Sequence, residues 1–311
     1  MKLDEIIDKL TISKQTITEY YNEGYGTSEF KIKDTSVFTD DVIKYFSEEL
    51  NSGFSLGFVK TEEDFRVRPA ELTVVTGISS HGKSLWLSQV VLSLMGQNAK
   101  CLIASLEMRP VLTLARMIQQ SLKTTDPTDD YIRKFCTRAS DKLYIYDQTG
   151  STTSDDMIAT MHYGKHVLGI DVFVIDSLMK LTDISETEYE QQKLFLDRCA
   201  TTCRDLNVHL FLVCHTRKMM NDEQIPDATN ILGSSHIRNL CDNILCVYRV
   251  KSKQREIEDG EKTAEELKGV PDCVVYLQKQ RNYPVEGSWG FYFDKKGLRY
   301  TESPRWQLTT S

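Results

Sequence analysis

The stretch Gly77–Met95, GISSHGKSLWLSQVVLSLM, decides the fold. Its first eight residues read Gly-x-x-x-x-Gly-Lys-Ser; the apolar run ELTVVTG (71–77) leads into them and an amphipathic apolar stripe follows. Strand, glycine-rich turn and helix in that order supply the context a phosphate-binding P-loop needs beyond its letters. Glycines at 77 and 82 let the backbone curl so that its N–H groups face a phosphate at a helix N-terminus, where the dipole favours anions. The expected nucleotide-binding set is Gly77, Ser79, Ser80, His81, Gly82, Lys83, Ser84 and Leu85. Lys83 would reach the β and γ oxygens, and Ser84 would ligate Mg²⁺.

Outward from this loop, short apolar runs alternate with helical stretches. The strand candidates are 71–77, KCLIASLE (100–107), KLYIYDQ (142–148), DVFVIDSL (171–178), HLFLVCHT (209–216), NILCVYRV (243–250) and CVVYLQKQR (273–281). Near-continuous β-branched runs separated by helices predict an α/β fold with a mainly parallel sheet covered on both faces. SWGFYFDKKGLRYTE reads as a terminal antiparallel hairpin turning near Lys296-Gly297. KSKQREIEDGEKTAEELKG (251–269) reads as a charged, solvated excursion with a short helix.

Residues 1–53 read as a small helical segment. Leu3, Ile6, Ile7 and Leu10 follow helical spacing, and Ser13 is a candidate cap for a helix bearing Ile17, Tyr20 and Tyr21. Thr39 with Asp40 and Asp41 reads as an N-cap with acids at the positive dipole end. Val42, Ile43, Phe46 and Leu50 form one stripe, and Gly53 is a plausible stop. Two readings stand for this segment: simple packing, or an arm that docks on a neighbouring subunit. The α/β domain would then occupy 54–311.

The chain has 311 residues, 40% hydrophobic and 27% charged, with a net charge of −7. That length buries a sizeable core, and that charge excludes a globally basic DNA-coating role while leaving room for a local basic channel. Of eight cysteines, Cys199 and Cys203 share a helix face but lack the second pair a zinc site needs. Buried thiols in a reducing cytoplasm are expected. MKLDEIIDKL mixes charges into its apolar positions, unlike a secretory or transit segment, and no run has the length of a membrane-spanning helix.

The remaining strand ends decide what the P-loop serves. Asp176 ends the buried run VFVIDS, the Walker B position, where a carboxylate holds Mg²⁺ through water. No Asn-Lys-x-Asp guanine-reading motif occurs, which disfavours a GTPase. Glu107 ends the second strand, and strand C-termini in an open α/β sheet line one crevice. A carboxylate there orients and deprotonates water, so an ATPase is expected. His215, at another strand end, would hydrogen-bond the γ-phosphate and report its loss. Lys279 and Arg281 lie two apart on a strand and so leave the same face. With Lys83 already in the loop, they suit a cation pair reaching a neighbouring subunit's nucleotide, a device that contributes roughly 10³–10⁵ in rate.

Taken in order, the P-loop, SLEM, VIDSLMKL, HTRK, ILGSSHIRNLCDNILCVYR and KQRN resemble the RecA-like motor of replicative ring helicases. DnaB-type proteins and the helicase half of phage primase–helicases and Twinkle share the pattern, over about residues 55–300. The resemblance implies a hexamer that encircles single-stranded DNA and translocates 5′→3′ on ATP or another NTP or dNTP with Mg²⁺. It implies a primase, polymerase or loader as protein partners, no membrane, and the cytoplasm of a bacterium or phage-infected host. It carries Lys83, Ser84, Glu107, Asp176 and His215 onto the catalytic motifs and Lys279 and Arg281 onto the cations supplied across the subunit boundary. Its DNA-binding loops fall near 179–190, 217–231 and 233–238, with Arg217, Lys218, Gly233, Ser234, Ser235 and Arg238 as contacts. Small and polar residues suit phosphate contacts without base reading. Two departures qualify this: the sequence carries no zinc-binding primase module, so priming is not expected, and the first loop bears Asp183, Glu186, Glu188 and Glu190. DNA grip would then rest on few residues multiplied around a ring. A RecA-like recombinase or clock-type ATPase shares the core and stays open as the alternative.

Overall fold

The computed structural model describes residues 34–47, 53–148, 152–184, 189–216, 226 and 238–304. Nine strands form the sheet: β1 Leu72–Thr76, β2 Cys101–Ser105, β3 Leu143–Ile145, β4 Val172–Asp176, β5 His209–Val213, β6 Asn243–Arg249, β7 Cys273–Gln280, β8 Gly287–Asp294 and β9 Arg299–Thr301. Their order is β3-β2-β4-β5-β1-β6-β7-β8-β9. The first six run parallel. All seven strands expected from the β-branched runs are present, and the terminal hairpin β8–β9 forms where it was placed.

Both faces of the parallel part are covered, which explains the unbroken apolar runs. Alternate residues such as Val74, Leu212 and Ile175 enter one core cluster, while Val75, Val213 and Val174 enter the other. On the second face lies α2 (Lys83–Gly96), whose Trp86 is fully buried and stacks on Phe58. On the first lie α5 (Ser154–Tyr163) and α6 (Tyr189–Leu206), supplying Met157, Phe195 and Cys199. A capping box between Thr153 and Asp156 starts α5. Pro110 at the first turn starts α3 (Pro110–Leu122), where its missing N–H costs nothing, and α4 (Asp129–Ala139) follows.

Three expectations need correction. Strand β7 runs antiparallel to β6, because the connection between them holds only α7 (Lys251–Glu258), which buries no residue and therefore is no crossover helix. Thr39 does not cap: it is already helical in α1 (Thr39–Ser47), because a 3-10 turn capped by the Asp34 side chain precedes it. The stripe of α1 does not pack on the core, since Val42, Ile43 and Phe46 are all exposed. The helices read over 1–33, Leu50, Glu186 and Glu188 lie outside the described residues.

Seven cysteines are buried, Cys136 being exposed. Burial pushes the Cys199, Cys203 and Cys214 thiols upward, so they are inert apolar residues. Among the described residues no group of three His, Cys, Asp or Glu side chains forms a metal-holding cluster, and no helix is long and apolar enough to cross a membrane.

Candidate active site

The C-terminal ends of the parallel strands form an upper rim, and the P-loop sits there between β1 and α2. Gly77 has φ +143 and Gly82 φ +88, both in the region that L side chains rarely adopt. A Cβ on Gly77 would stand 2.2 Å from the Val247 carbonyl oxygen, and one on Gly82 would stand 2.4 Å from the Tyr300 hydroxyl. The loop therefore needs glycine twice over, by conformation and by space. Ser79 and Ser80 are exposed at its tip. Lys83 is 5% exposed, and its ammonium donates to the carbonyls of Gly77 (2.8 Å) and Ile78 (3.1 Å). Burial lowers the Lys83 pKa, and Asp176 and Glu107 oppose that.

His81 holds the loop from behind. Its side chain is buried and its Nδ1 accepts the backbone N–H of Arg249 at 3.1 Å, bracing the loop against the end of β6. That contact turns the imidazole away from any phosphate-facing role, so the backbone is what His81 offers the loop.

The expected carboxylates do converge. Asp176 hydrogen-bonds the Ser84 side chain, and burial raises its pKa. Glu107 accepts from Ser177 Oγ at 2.8 Å and lies 3.3 Å from His215 Nε2. The His215 contact, ahead of Ser177, holds the Glu107 carboxyl down at about 2. Two acids in one crevice are thus pushed in opposite directions, the arrangement that separates roles between carboxylates. The donor set fits nucleotide and Mg²⁺: a glycine-shaped cradle, a lysine whose protons rest on loop carbonyls, and a Ser–Asp pair at the helix start.

Several residues of this rim escaped the sequence reading. Ser177 directly follows Asp176 and was legible as a strand-end hydroxyl. Thr113 and Arg116 share one face of α3 and, with Ser84, Ser105 and Asp176, line a recess of about 20 Å³. Tyr300 carries no local signal, being brought to Gly82 by the far hairpin.

Lys279 and Arg281 lie on the lower rim, where the parallel strands begin. The register pairs Gln280 with Asn243 and Asn243 with Thr73. Their own P-loop is roughly 13 Å away along the strands and roughly 10 Å across them. The two side chains do share a face, and both reach the Cys241 carbonyl, Lys279 at 2.6 Å and Arg281 at 3.2 Å. Lys279 also donates to the Arg238 carbonyl, and Arg281 to that of Asn239 at 2.7 Å. Arg238 is exposed and lines an open groove with Tyr276, Gln278, Glu286 and Ser288. Arg217, Lys218, Gly233, Ser234 and Ser235 lie outside the described residues. Asp183 does not face a channel as a free acid, because its carboxylate accepts from the N–H of Ser154 at 2.8 Å and from its hydroxyl.

The AAA domain family matches residues 66–221, half of the chain. The chain belongs to that family. The chain is 26% identical over 301 residues to the Twinkle homolog protein, chloroplastic/mitochondrial, of Arabidopsis thaliana, covering 88% of the chain and 40% of that protein. It is 25% identical over 204 residues to the DNA helicase/primase of Enterobacteria phage T3, covering 58% of the chain and 36% of that protein. The chain thus spans less than half the length of either relative. It superimposes on a DnaB-like replicative helicase, described with its interactions with primase, at a TM-score of 0.70 and 15% identity, covering 96% of this chain and 73% of that one. A solved ATPase domain gives 0.70 at 16% identity, covering 88% and 99%. At these identities the solved structures bear on the fold, which is the RecA-like helicase ATPase fold. The resemblance to the replicative ring-helicase motor is borne out.

Proposed function

We propose that the chain is the motor of an ATP-dependent replicative DNA helicase, a hexameric ring that moves 5′→3′ on single-stranded DNA and separates the duplex at a fork. One observation carries the reading: the cations suited to trigger hydrolysis sit at the opposite end of the sheet from their own P-loop. A site built this way is completed only by a second copy, and a closed ring is how a head-to-tail contact closes on itself.

In this reading the Gly77–Ser84 backbone and Lys83 hold the nucleotide, and Glu107 takes the proton from the attacking water. The water oxygen bonds to the γ-phosphorus, the bond to the bridging oxygen breaks, and ADP and phosphate leave. Ser84 and Asp176 would hold Mg²⁺, which would neutralise charge on the phosphate oxygens. At rest His215 keeps Glu107 a weak base. When His215 turns to a γ-phosphate, that hydrogen bond is lost, Glu107 becomes more basic, and activation is tied to the presence of triphosphate. Arg281, with Lys279, supplies charge to the neighbour's transition state.

Arg217, Lys218, Gly233, Ser234 and Ser235, with Arg238, form the DNA-contacting set. Residues 1–53 act as a docking arm, and the exposed Val42, Ile43 and Phe46 support this. The motor domain is 54–311. A primase, polymerase or loader is the expected protein partner, in the cytoplasm of a bacterium or an infected host. The deciding experiment follows strand separation on forked duplexes bearing a 5′ or a 3′ tail, with ATP turnover measured across protein concentration. Unwinding that needs the 5′ tail, with turnover per chain rising as chains associate, is expected. Full turnover by dilute single chains, or filament formation with strand exchange, overturns the proposal.

A further inference from the structure

We propose that Asp242 is the positioning residue that aims Arg281 out of the lower rim; this rests on the reading of Arg281 as a trigger for the neighbouring subunit. Asp242 is a buried carboxylate, 4% exposed. Its Oδ2 accepts the backbone N–H of Leu72 at 2.9 Å, which fixes it to the first residue of β1. Its Oδ1 stands 3.3 Å from Arg281 Nη1 and 3.7 Å from Arg204 Nη2. The Asp242 carbonyl also accepts the Arg281 N–H at 2.9 Å. Arg281 is therefore held twice by one residue, once at the main chain and once at the guanidinium.

The neighbouring positions repeat the design. Asn243 donates to Glu71 at 2.8 Å and to Thr73 at 3.0 Å, and Asn282 donates to Glu71 at 2.6 Å. The pairs 242/243 and 281/282 thus lock the end of β7 to the beginnings of β6 and β1. A guanidinium is a rigid planar fork. With Nη1 on Asp242 and Nη2 on the carbonyls of Asn239 and Cys241, its plane is set, and 40% of the side chain still faces outward. A buried acid is costly to keep charged without a partner. Of the two cations on Oδ1, Arg281 is the nearer, at 3.3 Å against 3.7 Å for Arg204, and the one Asp242 also holds through its main chain.

The test mixes subunits. Lys83→Ala has a dead cradle and an intact trigger; Arg281→Ala has the reverse. Asp242→Asn is expected to behave as trigger-impaired, with nucleotide affinity within about threefold of wild type and kcat lowered about 10–100-fold, the range a misplaced group produces. Mixed with Lys83→Ala, it regains turnover, because about one interface in four then joins a sound cradle to a sound trigger under random assortment. Asp242→Glu, which shifts the carboxylate by one methylene, is expected to lower kcat while leaving KM unchanged.

If Arg281→Ala is rescued by Lys83→Ala but Asp242→Asn is not, Asp242 serves the whole subunit and the positioning role is wrong, while the trigger reading survives. If neither is rescued, the trigger reading itself fails. Wild-type kcat in Asp242→Asn also overturns the proposal.

Discussion

The two rims of the sheet handle their cations differently. At the upper rim Lys83 is 5% exposed, folded back onto the carbonyls of its own loop inside a glycine-shaped cradle. At the lower rim the Arg281 side chain is 40% exposed, propped from behind by Asp242 and by carbonyls. One cation is aimed at its own chain's crevice, the other away from it. On the proposed reading, the difference teaches that one mixed sheet presents two half-sites, each short of what the other has.

The sharpest way to break this comparison is to disable the upper rim's base alone. Glu107→Gln keeps the shape and the Ser177 contact but removes the proton acceptor. Its expected cost in kcat is about 10²–10⁴-fold, the usual contribution of general-base catalysis, with nucleotide binding retained by equilibrium titration. Mixed with Arg281→Ala, the variant is expected to regain turnover, since its trigger is intact. Wild-type hydrolysis in Glu107→Gln would mean the base lies elsewhere, and the upper rim would lose its claim to the chemistry.

The lower rim is sharpened by pH. His209 opens β5 there, buried, with Nδ1 2.6 Å from the Arg68 carbonyl, and burial lowers its pKa to about 4 from 6.5. The folded chain keeps the ring neutral across that window while the unfolded chain protonates, so the unfolded state binds more protons and stability falls as pH drops from 6.5 toward 4. A shift of that size is worth about 3 kcal/mol at full development, at roughly 1.4 kcal/mol per unit. Urea unfolding of wild type and His209→Gln at pH 7 and pH 4.5 checks this. The variant is expected to lose less stability on acidification, and equal losses would place the acid sensitivity in other groups.

How legible each rim was follows from what fixes it. The upper rim is written in local spacing: a glycine pair, then strand ends at 107, 176 and 215, each carrying its own group within a few residues of a β-branched run. The lower rim depends on register. That Lys279 and Arg281 share a face followed from the period of a strand, but their distance from the P-loop follows from β7 running antiparallel. That direction is set by a connection whose helix α7 buries nothing. Asp242 stands just ahead of a strand with no motif around it, and its partners Leu72 and Arg281 lie far off in sequence. Membership of His81 in the loop was legible from spacing, whereas the burial of its side chain against Arg249 is a tertiary fact. Tyr300 at Gly82 likewise has no sequence signature.

The smallest expected effect concerns the seam between the antiparallel strands and the cradle. Gln89 on α2 donates to the Tyr300 carbonyl at 2.9 Å and accepts the Tyr300 N–H at 2.7 Å, the pattern of a strand neighbour supplied by a helix side chain. Gln120 adds one bond to the Leu298 carbonyl at 3.1 Å. These contacts hold the Tyr300 hydroxyl over Gly82, where it closes the space any side chain at 82 would need. Gln89→Ala removes both bonds and is expected to cost about 1–3 kcal/mol, at roughly 0.5–1.5 kcal/mol per net hydrogen bond, read as a lower urea midpoint. Gln89→Glu keeps the acceptor for the Tyr300 N–H and loses the donor, so it should fall between wild type and alanine. Amide exchange at Tyr300 should quicken in the alanine variant and stay slow in the glutamate one. If both amides exchange at the wild-type rate, β9 is held by β8 and core packing alone, and the antiparallel strands are then independent of the cradle.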